Sequence, residues 1–322
     1  MPSDAQLDLM QAEADKLSHD SPLDNAPISA RWVKRVIKWF EDLQHAAGAE
    51  GHSVHERFRA CLPEWEKLCR HLPPKLAQRI LSIIRDGYVI KWLPGVDPTK
   101  LRHDCKRNPP MMTTRVEETW KSFQKCLRLG AITPWDLRDG PPQIVCPVFF
   151  VLDGDKMRVV HNLKWPNKRL DPAQFSVWLE TIQRMRGKFP LMGWITVTDF
   201  SNAYFHVPFE KKQKTFIAFA LTTKEMPEHA VRMLRKQFPN CERDGRFFFA
   251  YNCINFGFAP SAQVFCLFSQ ACQQVWARCP SPERQNRISS YIDDWALAAL
   301  QFKSSVTLMG PVVIVSSTTL AF

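Results

Sequence analysis

The chain has 322 residues, 45% of them hydrophobic and 23% charged, enough to bury a core of ordinary size in one large domain or two smaller ones. Twelve glycines without a repeat exclude collagen, the hydrophobic share excludes wholesale disorder, and no internal repeat points to a solenoid or propeller. The formal net charge of +11 favours a polyanionic partner, nucleic acid first.

Residues 1–28 read as a polar arm, with Asp4 and Asp8 and no apolar run, hence neither a secretory signal nor a transit peptide. Ser29 can cap a helix carrying Trp32, Val33, Val36, Ile37, Phe40 and Leu43. Two shorter helical patterns follow, one with Trp65, Leu68 and Leu72 and one with Leu76, Ile80, Ile83 and Ile84 that ends at Gly87. The proline-rich, basic stretch 93–111 reads as a linker. Thr114 and Glu117 form a capping box ahead of a helix with Val116, Trp120, Phe123 and Leu127, stopped at Gly130.

Two β-prone runs, Ile144–Leu152 and Met157–Leu163, flank Asp153-Gly154-Asp155, a strong hairpin signal. A helix is expected between Pro172 and Gly187, then a strand Trp194–Asp199 and further strands at Phe216–Leu221 and Phe247–Tyr251. A helix after Pro260 carries Val264, Phe265, Phe268, Cys272, Val275 and Trp276. Two short β-prone runs from Ile288 to Leu300 flank Asp293-Asp294. Neither GxGxxG nor GxxxxGK[ST] occurs, which excludes Rossmann and P-loop sites. The ten cysteines form no CxxC pair and no zinc spacing with histidine, and read as reduced core residues of a cytosolic or nuclear protein.

The sharpest feature is Tyr291-Ile-Asp-Asp294. Two adjacent carboxylates between apolar strands are costly unless something uses them, and at a hairpin tip they make a plausible Mg²⁺ ligand set. On its own the motif reads as a solvated turn with two acids. Upstream, Asp199 ends the strand Trp194–Asp199; alone it would read as a cap or turn residue. Together the three acids suit a two-metal site, in which two ions stabilise the attacking and leaving oxygens of a phosphoryl displacement.

At these residues the sequence resembles the reverse transcriptases of retroelements. Val197-Thr-Asp-Phe-Ser-Asn-Ala-Tyr-Phe-His-Val-Pro-Phe209 resembles that family's first catalytic motif, Asn255-Phe-Gly-Phe-Ala-Pro-Ser-Ala-Gln-Val-Phe265 its glycine-centred motif, and Tyr291-Ile-Asp-Asp294 its YxDD signature. Leu129–Ile132 and Pro142–Asn167 resemble its fingers. The likeness spans roughly residues 112–300 and has the flavour of LTR-type or tyrosine-recombinase retrotransposons.

The resemblance implies an α+β right-hand polymerase with an antiparallel palm sheet. The division would be a helical region and linker over 1–110, fingers over 111–190, a palm over 191–300 and an atypical uncharged tail over 301–322. It implies transfer of dNTPs to a DNA primer 3′-OH on an RNA or DNA template, within a retroelement polyprotein. Two Mg²⁺ ions, with Mn²⁺ as an alternative, would be held by Asp199, Asp293 and Asp294. Arg158 would meet the triphosphate, Tyr204 would be the steric gate that disfavours a ribose 2′-OH, and Gly257 would let the backbone approach nucleotide or template. Tyr291 and Phe256 would lie along primer and template.

Departures from the family pattern are Phe256 where glutamine is frequent, Asn202 where an acid is frequent, and Leu152 in place of a fingers lysine. The uncharged stretch after Ser304 matches no thumb, and Gly310-Pro311 argues against a membrane segment. On this reading the element is truncated and polymerises poorly. The rivals are a catalytically defective remnant that only binds nucleic acid or protein, and an RNA-templated RNA polymerase. Lys211-Lys212-Gln-Lys214 is a solvated turn or, in a polymerase, a phosphate track.

Overall fold

A computed structural model describes residues 59–60, 62–153, 156–175, 177, 194–199, 202–277, 288–291 and 294–299. The expected helix from Ser29, most of the expected helix 172–187 and the uncharged stretch lie outside the described residues.

Helices α1 (Leu62–Cys69) and α2 (Pro74–Asp86) follow the predicted apolar spacing, and α2 buries Ile80, Ile83 and Ile84. Gly87 caps α2 at φ 93°, a conformation that glycine adopts without a Cβ penalty. Helix α3 (Val116–Arg128) buries Trp120, Phe123 and Cys126. Its predicted capping box does not form. Arg115 is the N-cap without a side-chain bond, and Thr114 Oγ1 instead donates to the Met111 carbonyl at 2.8 Å. The short 3₁₀ turn Pro110–Thr113 takes that hydroxyl before the helix can use it.

The predicted linker is also corrected. Within it, β1 (His103–Asp104) pairs in parallel with β3 (Ile144–Val145), at the edge of a mixed sheet. The sheet runs β1-β3-β7-β9-β2, where β2 is Ile132–Pro134, β7 Ala218–Thr222 and β9 Arg246–Tyr251; β8 (Glu242–Arg243) pairs with β9. Asn108 Oδ1 accepts from the Val148 N–H at 2.9 Å, and its Nδ2 donates to the Ala220 carbonyl at 2.8 Å. Proline content read the segment as a spacer, while its polar groups satisfy the sheet's free edge.

Alternation along the sheet covers both faces. Phe219 and Leu221 of β7, with Phe247, Phe249 and Tyr251 of β9, point into the main core. Ala218, Ala220, Phe248 and Ala250 face a smaller cluster closed by Trp135 and Leu137. The predicted hairpin is present as β4 (Val148–Asp153) and β5 (Lys156–His161), paired Asp153↔Lys156 to Val148↔His161. The run Ile144–Leu152 is split at Cys146-Pro147, so its first residues join the mixed sheet. A four-residue helix, α4 (Lys164–Asn167), follows. Helix α5 (Glu228–Gln237) had no counterpart among the expected elements; it buries only Ala230, Val231 and Leu234. Helix α6 (Ser261–Ala277) runs back through the core, where Phe268 meets Trp65 of α1 edge-on at 5.4 Å.

The eight cysteines among the described residues are free thiols, and seven are buried. No helix among the described residues is long and apolar enough to cross a membrane.

Arg246 staples β9 to the sheet edge. Its Nη2 donates to Asp104 Oδ1 at 2.8 Å and to the Cys105 carbonyl at 2.9 Å, while Nη1 donates to Asp104 Oδ2 at 3.1 Å. Partial burial raises the Asp104 pKa, but hydrogen bonds and charge from Arg246 and Lys106 outweigh it and hold the carboxyl at about 2. A depressed pKa stabilises the fold above the ordinary carboxylate range and ceases to do so as pH falls through about 2. Arg246→Ala is therefore expected to cost about 1 kcal/mol at neutral pH, discounted because Asp104 is exposed to solvent. In urea unfolding, the wild-type advantage should shrink as pH falls from roughly 4 toward 2. An advantage independent of pH would assign the effect to packing of the guanidinium.

Candidate active site

Three strands form a separate antiparallel sheet, β10-β11-β6, with β6 Trp194–Asp199, β10 Ile288–Tyr291 and β11 Asp294–Ala299. β-Branched and aromatic residues dominate β6, the types that strands favour. Its register with β11 runs from Ala299↔Trp194 to Asp294↔Asp199. On the other side of β11, Tyr291 pairs with Asp294. The YxDD hairpin therefore places Asp294 directly opposite Asp199, with Tyr291 next in the row. Opposed positions of an antiparallel pair have Cα atoms about 4.5–5.5 Å apart. Asp293 lies outside the described residues.

Beyond β6 the chain turns at Asn202, which has φ 55°. Asparagine is among the few residues that tolerate this left-handed conformation. The 3₁₀ turn Ala203–His206 then buries Ala203 and His206 and leaves Tyr204 half-buried. Next, the Phe209 N–H donates to the Asn252 carbonyl at 2.8 Å and the Ile254 N–H to the Val207 carbonyl at 2.9 Å. This pairing brings Tyr204 beside the glycine-centred turn. Its ring lies 4.9 Å from that of Phe256, edge-on, and 6.3 Å from that of Phe265. Phe256 is 38% exposed.

Gly257 has φ 101°, and a Cβ there would lie 1.8 Å from the His161 carbonyl oxygen. The close approach is thus to the end of β5. The glycine lets two segments of the chain itself meet, a role not anticipated from the sequence. The His161 N–H donates to the Phe256 carbonyl at 3.1 Å. Asn167 closes the other side, with Nδ2 donating to the Gly257 carbonyl at 2.8 Å and Oδ1 accepting from the Ala259 N–H at 3.2 Å. Ser261 Oγ donates to the Asn255 carbonyl at 2.8 Å, and Asn255 Nδ2 lies 3.3 Å from His161 Nδ1. Burial drives the His161 pKa down to about 3, so the ring is neutral.

His161, Asn167, Asn255 and Ser261 were not singled out from sequence. Their partners lie up to 94 residues away, and no short-range pattern marks such a clamp. A cleft of about 410 Å³ opens beside it, lined by Asn162, Lys164, Asn167, Lys168 and Gly257 among others. Arg158 stands exposed on β5, opposite Val151. The predicted residues thus fall into three places: Asp199, Tyr291 and Asp294 at one sheet end, Tyr204, Phe256 and Gly257 around the clamped turn, and Arg158 on the hairpin. Helix α6 starts at the turn and passes against β10 and the 203–206 segment, linking the first two. Lys211 and Lys212 are exposed on a 3₁₀ turn capped by Glu210.

Residues 156–314 match the family model described as reverse transcriptase (RNA-dependent DNA polymerase). That stretch, just under half of the chain, is a reverse-transcriptase domain. The matched stretch starts in the β4–β5 hairpin, spans all three motifs and extends past Leu300. In fold, it is similar to the prototype foamy virus protease-reverse transcriptase (CSH mutant, selenomethionine-labelled). The TM-score is 0.50 at 15% identity, over 80% of this chain and 32% of that one. The chain thus spans about a third of that protein's length. No curated protein matches it in sequence.

Proposed function

We propose that the chain carries out template-directed DNA synthesis, transferring dNTPs to a primer 3′-OH on an RNA or DNA template. The observation that carries this reading is the register pairing of Asp199 with Asp294 at one end of the three-stranded sheet. Opposed carboxylates repel, and such a pair is destabilising by itself. Hard oxygen donors gathered in this way suit Mg²⁺, so the residues fit the ions that the family implies. Asp199, Asp293 and Asp294 would hold them, and the ions would neutralise charge on the triphosphate as pyrophosphate leaves.

The chain's own residues then position the reactants, which is the larger part of catalysis in phosphoryl transfer. Tyr204 would stand beneath the sugar, braced by Phe256. Arg158 would meet phosphate oxygens with its planar guanidinium. Lys164 and Lys168 would neutralise phosphates of the template along the cleft. Tyr291 would lie near the primer end.

Primer extension on an RNA template with the purified chain tests the reading. Incorporation should require Mg²⁺ or Mn²⁺ and stop on chelation. Failure to extend, together with failure to bind a primer–template, would overturn it. The gate is tested separately. Tyr204→Val should raise rNTP use relative to dNTP use about tenfold or more, corresponding to a loss of roughly 1.4 kcal/mol of discrimination. Unchanged discrimination would remove Tyr204 from that role.

A further inference from the structure

Away from the aspartate hairpin, planar side chains converge on one indole. The ring of His103, on the edge strand β1, lies parallel to that of Trp165 in α4, with 4.6 Å between centroids and 9° between planes. The Arg169 guanidinium carbon stands 3.7 Å from the indole centroid, and its Nη1 donates to the Trp165 carbonyl at 2.9 Å. All three side chains are half-buried, so each is held in place yet reaches solvent. Burial, and secondarily the charge of Arg169, lower the His103 pKa, which leaves a neutral ring at neutral pH.

Packing alone accounts for the indole but not for its surroundings. Arg102, Lys164 and Lys168 are exposed, and no ion pair among the described residues engages any of them. Lys164 and Lys168 line the cleft that leads to Gly257. Trp165 and Arg169 directly follow Lys164 and Lys168 in the chain, and flat rings beside cations match the chemistry of an unpaired nucleic-acid strand. Cations track the phosphates, and an exposed base face adds to the stack. A duplex offers its base faces only at its end, so a stacking platform selects unpaired nucleotides.

We propose that the His103–Trp165–Arg169 stack is a docking platform for an unpaired base of the template strand, with the preceding phosphates held by Lys168 and Lys164. The inference rests on the templated-synthesis reading, because the template is the strand that extends unpaired beyond a primer. It goes beyond that reading by assigning a site to His103, which lies outside the family-matched stretch.

Equilibrium binding of the full chain, followed by fluorescence anisotropy without nucleotide, tests it. Three labelled primer–templates are compared: a blunt duplex, one with a template 5′ overhang, and one whose overhang is abasic. The natural overhang should improve affinity roughly fivefold or more, the range expected for one stacked base. The abasic overhang should lose that gain while keeping its phosphates. His103→Ala should lose the same gain and leave blunt-duplex affinity unchanged, which also reports that the variant is folded. Lys164→Gln with Lys168→Gln should weaken every ligand and reduce the salt slope. Equal binding of natural and abasic overhangs, or an overhang gain that survives His103→Ala, would overturn the platform while leaving templated synthesis intact. Absence of binding to any of the three would overturn both.

Discussion

Asp199→Asn is expected to reduce primer extension on the order of a thousandfold, Asp294→Asn to do the same, and the double variant to be no worse than either single one. Non-additivity is the informative part. Residues that act as one unit each remove the whole contribution, whereas independent residues multiply their losses. Register pairing predicts the unit, since Asp294 sits directly opposite Asp199.

The same pair makes a prediction that does not depend on turnover. Opposed like charges destabilise a ladder, so either asparagine variant should raise metal-free stability by about 0.2–1 kcal/mol. Mg²⁺ should raise the wild-type melting temperature, because a ligand that binds only the folded chain stabilises it, and each variant should show less of that rise. Thermal unfolding with and without Mg²⁺ reads both effects. Wild-type extension rates in Asp199→Asn would remove the residue from the chemistry. A metal-linked rise that survives both substitutions would move the ions elsewhere.

Much of this was legible in the sequence where the signal is local. Strand Trp194–Asp199, the Asp153-Gly154 hairpin and the apolar spacing of α2 and α6 each depend on residues a few positions apart, and each is present. The three motif segments lie inside the matched family stretch. Helix α5 was missed because its buried face is only three residues wide, in a sequence dominated by charge. The capping box failed because a local 3₁₀ turn competes for the Thr114 hydroxyl. What could not be read was long-range pairing. Asn167 holds a turn 90 residues downstream, and Asn108 bonds a carbonyl 112 residues downstream. A side-chain amide carries the same information in a loop as in a clamp, until the fold supplies its partners.

Gly257→Ala is expected to cost about 3 kcal/mol or more. Two effects add. At φ 101° an L-residue is strained, by about 1–3 kcal/mol. In addition, the new Cβ would sit 1.8 Å from the His161 carbonyl oxygen and 2.9 Å from its carbon, and both atoms are backbone, unable to swing aside. The turn must therefore retreat from β5. Retreat would break the bond from the His161 N–H to the Phe256 carbonyl and loosen both bonds from Asn167. Phe256 would then no longer brace Tyr204, so any residual activity should also discriminate less well against rNTPs. Gly95 separates the two effects. It has φ 85°, but a Cβ there would meet nothing within 4 Å, so Gly95→Ala should show the strain alone. Urea unfolding of the two variants should place Gly257→Ala at least about 2 kcal/mol below Gly95→Ala. Equal losses would mean that the glycine turn does not press on β5, and that His161 and Asn167 do not hold the gate in position.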